Sequence, residues 1–272
     1  MKRFILGVAA VVLVGIGQAK AIPLSHRYTF DTDASDSVGM NHGTLINGAS
    51  IVLDAERGGV LHLDGVDDYV SLGWSNIPSG PTDTAVFTIA AWVKIPAGVV
   101  AFENQGPIYT EFTSYRDPDG HVGEKNILRL EGLKSGFDRS GRVSFTQTPP
   151  GGWRIISDPL VNDGEWHHVA YVQNEPAGFG RKLYIDGVLN VWDDNPEPYT
   201  GPAVDSWAIG GLLLPGGQSY LKGHLDDIRF YNDALTANEV AALVPETSSI
   251  ITWGLIGAIV VGIDWWRRRR TV

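Results

Sequence analysis

"FTIAAWVKIP" (Phe87–Pro96) decides the fold. Side chains along a strand alternate between faces. Phe87, Ile89, Ala91, Val93 and Ile95 therefore share one face, and Thr88, Ala90, Trp92 and Lys94 share the other. One wholly apolar face predicts a strand lying on a core. Further strands follow outward in both directions. "HRYTF" (26–30) reads as a first strand, and "VLHLDGVDDYVSLG" (60–73) as two short strands around an Asp-Gly turn. "WHHVAYVQN" (166–174) and "RKLYIDGVLNVW" (181–192) form a hairpin, with Asp186-Gly187 at its bend or just after a strand. "YLKGHLDDIRFYN" (220–232) is a last long strand. Between 104 and 162 the spacing predicts strands near 107–113, 127–131 and 142–147. Long loops such as "RDPDGHVGEKN" (116–126) and "TPPGGW" (148–153) separate them.

One helix is expected. Thr236 caps "ANEVAALV", Glu239 completes a capping box, and Leu235, Val240 and Leu243 form a small apolar stripe. That helix is too short to cover a parallel sheet, so sheet must pack on sheet. The expected fold is all-β, a two-sheet antiparallel sandwich.

The two ends of the chain read differently from its body. Lys2 and Arg3, the apolar run Phe4–Ile16 and Ala19-Lys20-Ala21 make a secretory signal peptide over residues 1–21, cut by a signal peptidase. Residues 250–266 are largely apolar, with Asp264 near the end where it can reach the interface, and reach roughly 25 Å as a helix, at the short end for a membrane span. Trp265, Trp266 and Arg267 to Arg270 suit an interface and a cytoplasmic side. Residues 22–244 are the body. Without its ends the formal charge moves from −10 to −15, because the ends hold seven of the 21 basic and two of the 31 acidic residues. Such a body repels nucleic acid and anionic lipid. The chain has no cysteine, so disulfides and thiolate chemistry are excluded. Folding rests on core burial, and six Trp sit in the body: Trp74, Trp92, Trp153, Trp166, Trp192 and Trp207.

The tail resembles the PEP-CTERM sorting signal, through Val244-Pro245-Glu246-Thr247-Ser248-Ser249, the apolar segment and the arginines. Thr247 stands where that signal has its second proline. The resemblance implies an exosortase-like processing enzyme, an inner-membrane intermediate and delivery to the cell surface or extracellular matrix of a Gram-negative bacterium. The other reading is a permanent membrane anchor with the body facing outward.

The body resembles the laminin-G-like (LamG, pentraxin-type) branch of the concanavalin A-like lectin/glucanase superfamily, a jelly roll. Five blocks carry the likeness in order: "DGVDDYV" (64–70), "FTIAAWVK" (87–94), "DGEWHHVA" (163–170), "LYIDG" (183–187) and "GHLDDIRFY" (223–231). "YTFDTDASDSVGMNHGTLINGA" (28–49) resembles the family's opening. Members are mostly adhesion or carbohydrate-binding modules, often with calcium.

Even alternation along the last strand puts Asp226 with Ile228 and Phe230, and Asp227 with Leu225, Arg229 and Tyr231. A carboxylate among apolar groups needs a cation, backbone donors or an arginine. The loop "DTDASDSVGMNHG" (31–43) offers oxygens, and in related folds a structural calcium joins such a loop to the last strand. The expected calcium ligands are Asp36, Asn41, Asp226 or Asp227, and the Gly39 carbonyl. The alternative is a set of Asx-turns and ion pairs, with Arg229 or Arg57. "DGVDD" (64–68) reads as a turn with hydrogen-bonded carboxylates. His167 and His168 are adjacent on a strand and so cannot share a zinc ion.

Laminarinase-like relatives carry Glu-x-Asp-x-x-Glu on one strand, and no such run occurs here. No Gly-x-Ser-x-Gly elbow occurs either. Sugar binding calls for exposed aromatics. The candidates are Trp153, Trp192 and Tyr199 in Gly/Pro-rich stretches, with Tyr115 behind them. The expectation is a non-catalytic cell-surface or matrix protein that binds extracellular polysaccharide or a surface protein. The alternatives are a purely structural envelope protein and a glycan hydrolase.

Overall fold

The computed structural model describes residues 24–74, 86–99, 106–116, 122–134, 137–147, 153–174, 180–193, 206–214 and 217–244. The expected signal peptide and the tail with its span lie outside these residues. Among the described residues no helix is long and apolar enough to cross a membrane. In chain order the strands are β1 (Leu24–Tyr28), β2 (Thr44–Ile46), β3 (Ser50–Asp54), β4 (Gly58–Asp64), β5 (Tyr69–Trp74), β6 (Val86–Lys94) and β7 (Gly106–Arg116). Next come β8 (Val122–Leu130), β9 (Leu133–Lys134), β10 (Phe137–Asp138), β11 (Arg142–Gln147), β12 (Trp153–Leu160) and β13 (Trp166–Asn174). The last are β14 (Arg181–Ile185), β15 (Val188–Asp193), β16 (Ser206–Ile209), β17 (Gly211–Leu214), β18 (Gly217–Tyr220) and β19 (Lys222–Tyr231), followed by helix α1 (Ala237–Ala241).

Two antiparallel sheets form the sandwich. The first runs β15-β14-β13-β6-β19-β4-β3, with β1 also on β19; the second runs β12-β11-β8-β7-β16-β5-β2. Strand β6 is central in the first sheet, flanked by β13 and β19. Its apolar face, from Phe87 to Ile95, is buried as the alternation requires. Phe145 of the second sheet stacks on Tyr171 of the first, ring centroids 3.5 Å apart and 6° from parallel, and Phe87 lies 5.7 Å from Tyr171. The Tyr171 hydroxyl donates to Gln173 Oε1 at 2.8 Å, so this buried oxygen is satisfied.

Several turns explain the connections. Asp186 and Gly187 both take positive φ (50° and 77°), as a two-residue hairpin between β14 and β15 demands. The Asp-Gly turn after β4 is no hairpin: β4 and β5 belong to opposite sheets, so residues 65–68 carry the chain across the sandwich.

Part of the first sheet's outer face is roofed by the segment after β19. Tyr231, Leu235 and Val240 pack on Ala90, Ala170, Val172 and Tyr184. Thr88 Oγ1 donates to the Asp233 carbonyl at 2.9 Å and accepts from Leu235 N at 3.0 Å, pinning the roof to β6. The Thr236–Glu239 capping box starts α1 as its sequence predicts. The rest of this outer face, from Trp92 and Lys94 outward, is free for polar groups.

Candidate functional site

Asp36 is buried, and the loop after β1 is built around it. Its Oδ1 accepts from the backbone N–H groups of Arg27 (3.0 Å), Val38 (3.1 Å) and Gly39 (2.9 Å). Its Oδ2 accepts from Asn41 N (3.2 Å) and meets His26 Nδ1 at 2.6 Å. At Gly39 a Cβ would fall 2.5 Å from Asp36 Oδ2, so only glycine lets the loop close this tightly. Burial acts to raise the Asp36 pKa, but the bonds from His26 and the backbone outweigh it and hold the carboxyl below the usual range.

Strand β19 changes partner along one edge. Lys222–Leu225 pair with β4 and Ile228–Tyr231 with β1, while the other edge follows β6. At the change the register slips between Asp226 and Arg229, and Asp227 takes a left-handed φ of 47°. This bulge resets the phase. Asp226 therefore stands opposite Trp92 on the outer face, while Leu225, Ile228 and Phe230 enter the core. Even alternation, which grouped Asp226 with Ile228 and Phe230, is corrected here.

Each carboxylate at the bulge meets an arginine. Asp227 accepts from Arg27 Nε (2.7 Å) and from Arg229 Nε and Nη2 (3.0 and 2.5 Å). Arg27 and Arg229 are directly opposed on β1 and β19, and Asp227 bridges these two like charges. Arg57, from the β3–β4 turn, reaches Asp226 Oδ2 at 2.5 Å, and its guanidinium lies 4.2 Å from the Trp92 ring centre.

Burial pushes Asp226 up to about 6, against the pull of Arg57. A carboxyl raised this way favours the fold at low pH, and that contribution is lost as pH rises through about 6. Arg57→Met should therefore cost about 2 kcal/mol at pH 8, where Asp226 is an unpaired anion. It should cost much less at pH 5, where the proton replaces the arginine. Denaturant unfolding at the two pH values measures the difference.

These contacts bear on calcium. The ion needs six to eight oxygens, yet Asp36, Asp226 and Asp227 are committed to protein donors. The arrangement does not fit the expected ligand set; the ion pairs named as its alternative describe Asp226 and Asp227. The one trio that converges among the described residues is Asp64, Asp67 and Asp68. There Asp68 accepts from Gly48 N (2.7 Å) and Asp64 N (3.0 Å), and Asp64 from Val66 N (2.7 Å), so the carboxylates hold the crossing turn. His167 and His168 face opposite ways. His167 bonds Asp163 and Asp186, whereas buried His168 packs edge-on to Trp92 and is lowered to about 4 by burial.

The aromatic candidates among the described residues fall on strands. Tyr199 lies outside the described residues. Tyr115 is on β7, Trp153 opens β12 and Trp192 is on β15. The sequence puts Trp153 at the end of the loop 148–153 and Trp192 at the end of the hairpin segment 181–192; the structure places both on strands, at the edges of the two sheets. The two edges meet, since Asp158 N donates to Asn190 Oδ1 at 2.9 Å. Trp192 is 52% exposed, a large value for a residue that is usually well buried. With Leu189, Asn190 and Val191 it lines an open pocket of about 320 Å³. Lys182 is directly opposite it on β14.

The second sheet buries Glu131 just beyond β8. Arg129 Nε lies 3.3 Å from its Oε1, Ser144 donates to the same oxygen, and Arg154 pairs with Oε2. Burial and the nearby Arg129 lower Arg154 to about 10. Both oxygens of this buried carboxylate are thus engaged by the arginines and the serine within the sheet.

A laminin-G family model, described as "Concanavalin A-like lectin/glucanases superfamily", matches residues 64–241. The chain belongs to this superfamily. Among solved structures, the lectin/glucanase-type chain is similar to domain 4 of AbnA, an extracellular arabinanase of Geobacillus stearothermophilus, in complex with arabinotriose. That match has 20% identity and a TM-score of 0.60, covering 82% of this chain and 99% of that one. It is also similar to the binding domain of botulinum neurotoxin serotype D, with 14% identity and a TM-score of 0.57, covering 81% of this chain and 50% of that one. The sialidase of Trypanosoma rangeli matches at 15% identity with a TM-score of 0.55, covering 81% and 32%. At these identities the likeness is one of fold. No curated protein matches the sequence.

Proposed function

We propose that the protein is a non-catalytic, exported carbohydrate-binding module that holds extracellular polysaccharide through the open pocket at Trp192. The observation that carries this is the half-exposed Trp192 ring on a rigid edge strand of a lectin-type sandwich. An indole face offers apolar area to the C–H face of a sugar, while Asn190 and Lys182 supply polar groups for its hydroxyls. The solved structure with arabinotriose bound to a domain of this fold is consistent with such a use. The non-catalytic part of the reading rests on the sequence, which carries no Glu-x-Asp-x-x-Glu run. Export and surface delivery rest on residues 1–21 and 245–272, read from sequence.

Trp192→Ala should weaken binding to a recognised polysaccharide by about thirtyfold, the loss of roughly 2 kcal/mol expected for an aromatic anchor. Because the ring is exposed, the melting temperature should stay at the wild-type value. Isothermal titration with calorimetric melting reads both quantities. Unchanged affinity in the variant would remove Trp192 from the site.

A further inference from the structure

Away from Trp192, the outer face of the first sheet brings two histidines together. His62 on β4 and His224 on β19 are directly opposed in the ladder. Both are half-buried, their ring centres are 4.9 Å apart, and His62 Nδ1 lies 3.2 Å from His224 Nε2. We propose that this pair is a binding site for a divalent transition-metal ion, with His62 Nδ1 and His224 Nε2 as its protein ligands.

The spacing fits the chemistry. Imidazole nitrogens bind zinc at about 2.0–2.1 Å. Two nitrogens 3.2 Å apart at that bond length subtend an angle of about 100–106°, between the right angle of octahedral sites and the tetrahedral value. The strands fix the spacing, since the two residues are cross-strand neighbours in a sheet continuing on both sides. In the metal-free pair one nitrogen must donate a proton to the other. Binding needs that ring to move its proton to its outward nitrogen, leaving tautomers protonated at His62 Nε2 and His224 Nδ1, with no net proton released. Water can complete the coordination because both rings reach solvent.

The surrounding charges also favour a dication. Lys94, next along the row opposite His224, would repel it, but its Nζ is paired with Asp54 at 3.2 Å and lies 3.7 Å from Glu56. The three groups together carry one net negative charge. Of the other described histidines, His26 and His167 are bonded to carboxylates, His42 accepts from Asp36 N, and His168 is buried. None of them offers a second imidazole at chelating distance. The pair escapes a sequence reading because its members are 162 positions apart.

The test is titration of the purified protein with copper(II), read by tryptophan fluorescence, since Trp166 is 6.5 Å from the His224 ring. Saturable quenching by one ion per chain is expected. His62→Gln and His224→Gln should each weaken it by roughly tenfold or more, His167→Gln should leave it unchanged, and Lys94→Gln should tighten it. Electron paramagnetic resonance of the wild-type copper complex should show two imidazole nitrogens, a readout that depends on no variant folding. Absence of saturable binding, wild-type affinity in either His variant, or a spectrum without two nitrogens would each overturn the site. The proposal is independent of glycan binding, and chelator-treated protein should retain that activity.

Discussion

Asp36→Ala is expected to cost about 3–5 kcal/mol of folding stability, because the carboxylate answers four backbone N–H groups and a histidine at once. The residue touches no glycan in this account, so the loss is one of framework. Removing the side chain leaves the N–H groups of Arg27, Val38, Gly39 and Asn41 competing for water in a loop wrapped around nothing. Equilibrium denaturation at neutral pH should show a lower midpoint with an unchanged slope. The pH dependence has a definite sign. A depressed carboxyl supplies stability above its unfolded pKa, and that stability is lost as pH falls through the folded value. The gap between wild type and Asp36→Ala should therefore narrow in acid. Asp36→Asn should fall between the two, since one acceptor oxygen survives while its amide nitrogen faces donors. Full stability in the alanine variant would show that the loop is held by other means.

Asp227→Ala should cost about 2–3 kcal/mol, because it leaves Arg27 and Arg229 opposed with no anion between them. The figure is discounted because the Arg27 side chain is 37% exposed and partly screened by solvent. A second cost arises in the backbone. The residue sits at φ 47°, where aspartate and asparagine are tolerated and alanine is not. Asp227→Asn should thus lose the charge but keep the bulge, and remain about 1 kcal/mol more stable than the alanine variant. Molar salt should restore part of the loss in both by screening the two arginines. Equal stability of Asn and Ala variants would mean that the bulge does not depend on this residue's backbone preference.

Much of the framework was legible in the sequence because burial on one face writes a period of two. The strand at 87–94, the hairpin around Asp186-Gly187, the last long strand and the capping box at Thr236 all follow from local chemistry. The bulge at Asp226-Asp227 was not legible. It depends on β19 exchanging β4 for β1, an event between segments about 200 residues apart, and it inverts the face assigned to Asp226. For the same reason the arginines were read as an alternative to calcium, although Arg57 and Arg229 were the right names. Arg27 was missed, since nothing near it in the sequence points to Asp227. Trp192 was legible as a binding candidate by residue type. Its strand was legible too, as the end of the hairpin segment 181–192, but not that this strand is the edge of its sheet, which depends on the order of strands far apart in the chain. Glu131 looked isolated in the sequence, and only the β8–β11–β12 ladder brings Arg129, Ser144 and Arg154 around it.

The central claim, glycan binding at the Trp192 edge, is tested most directly by affinity electrophoresis of the purified protein through gels containing a panel of bacterial exopolysaccharides. Wild type and Trp192→Ala should be run side by side. The account predicts that at least one polysaccharide retards the wild type saturably and that the variant migrates as if the gel held none. Retardation equal in both proteins, or none for either across the panel, would contradict it.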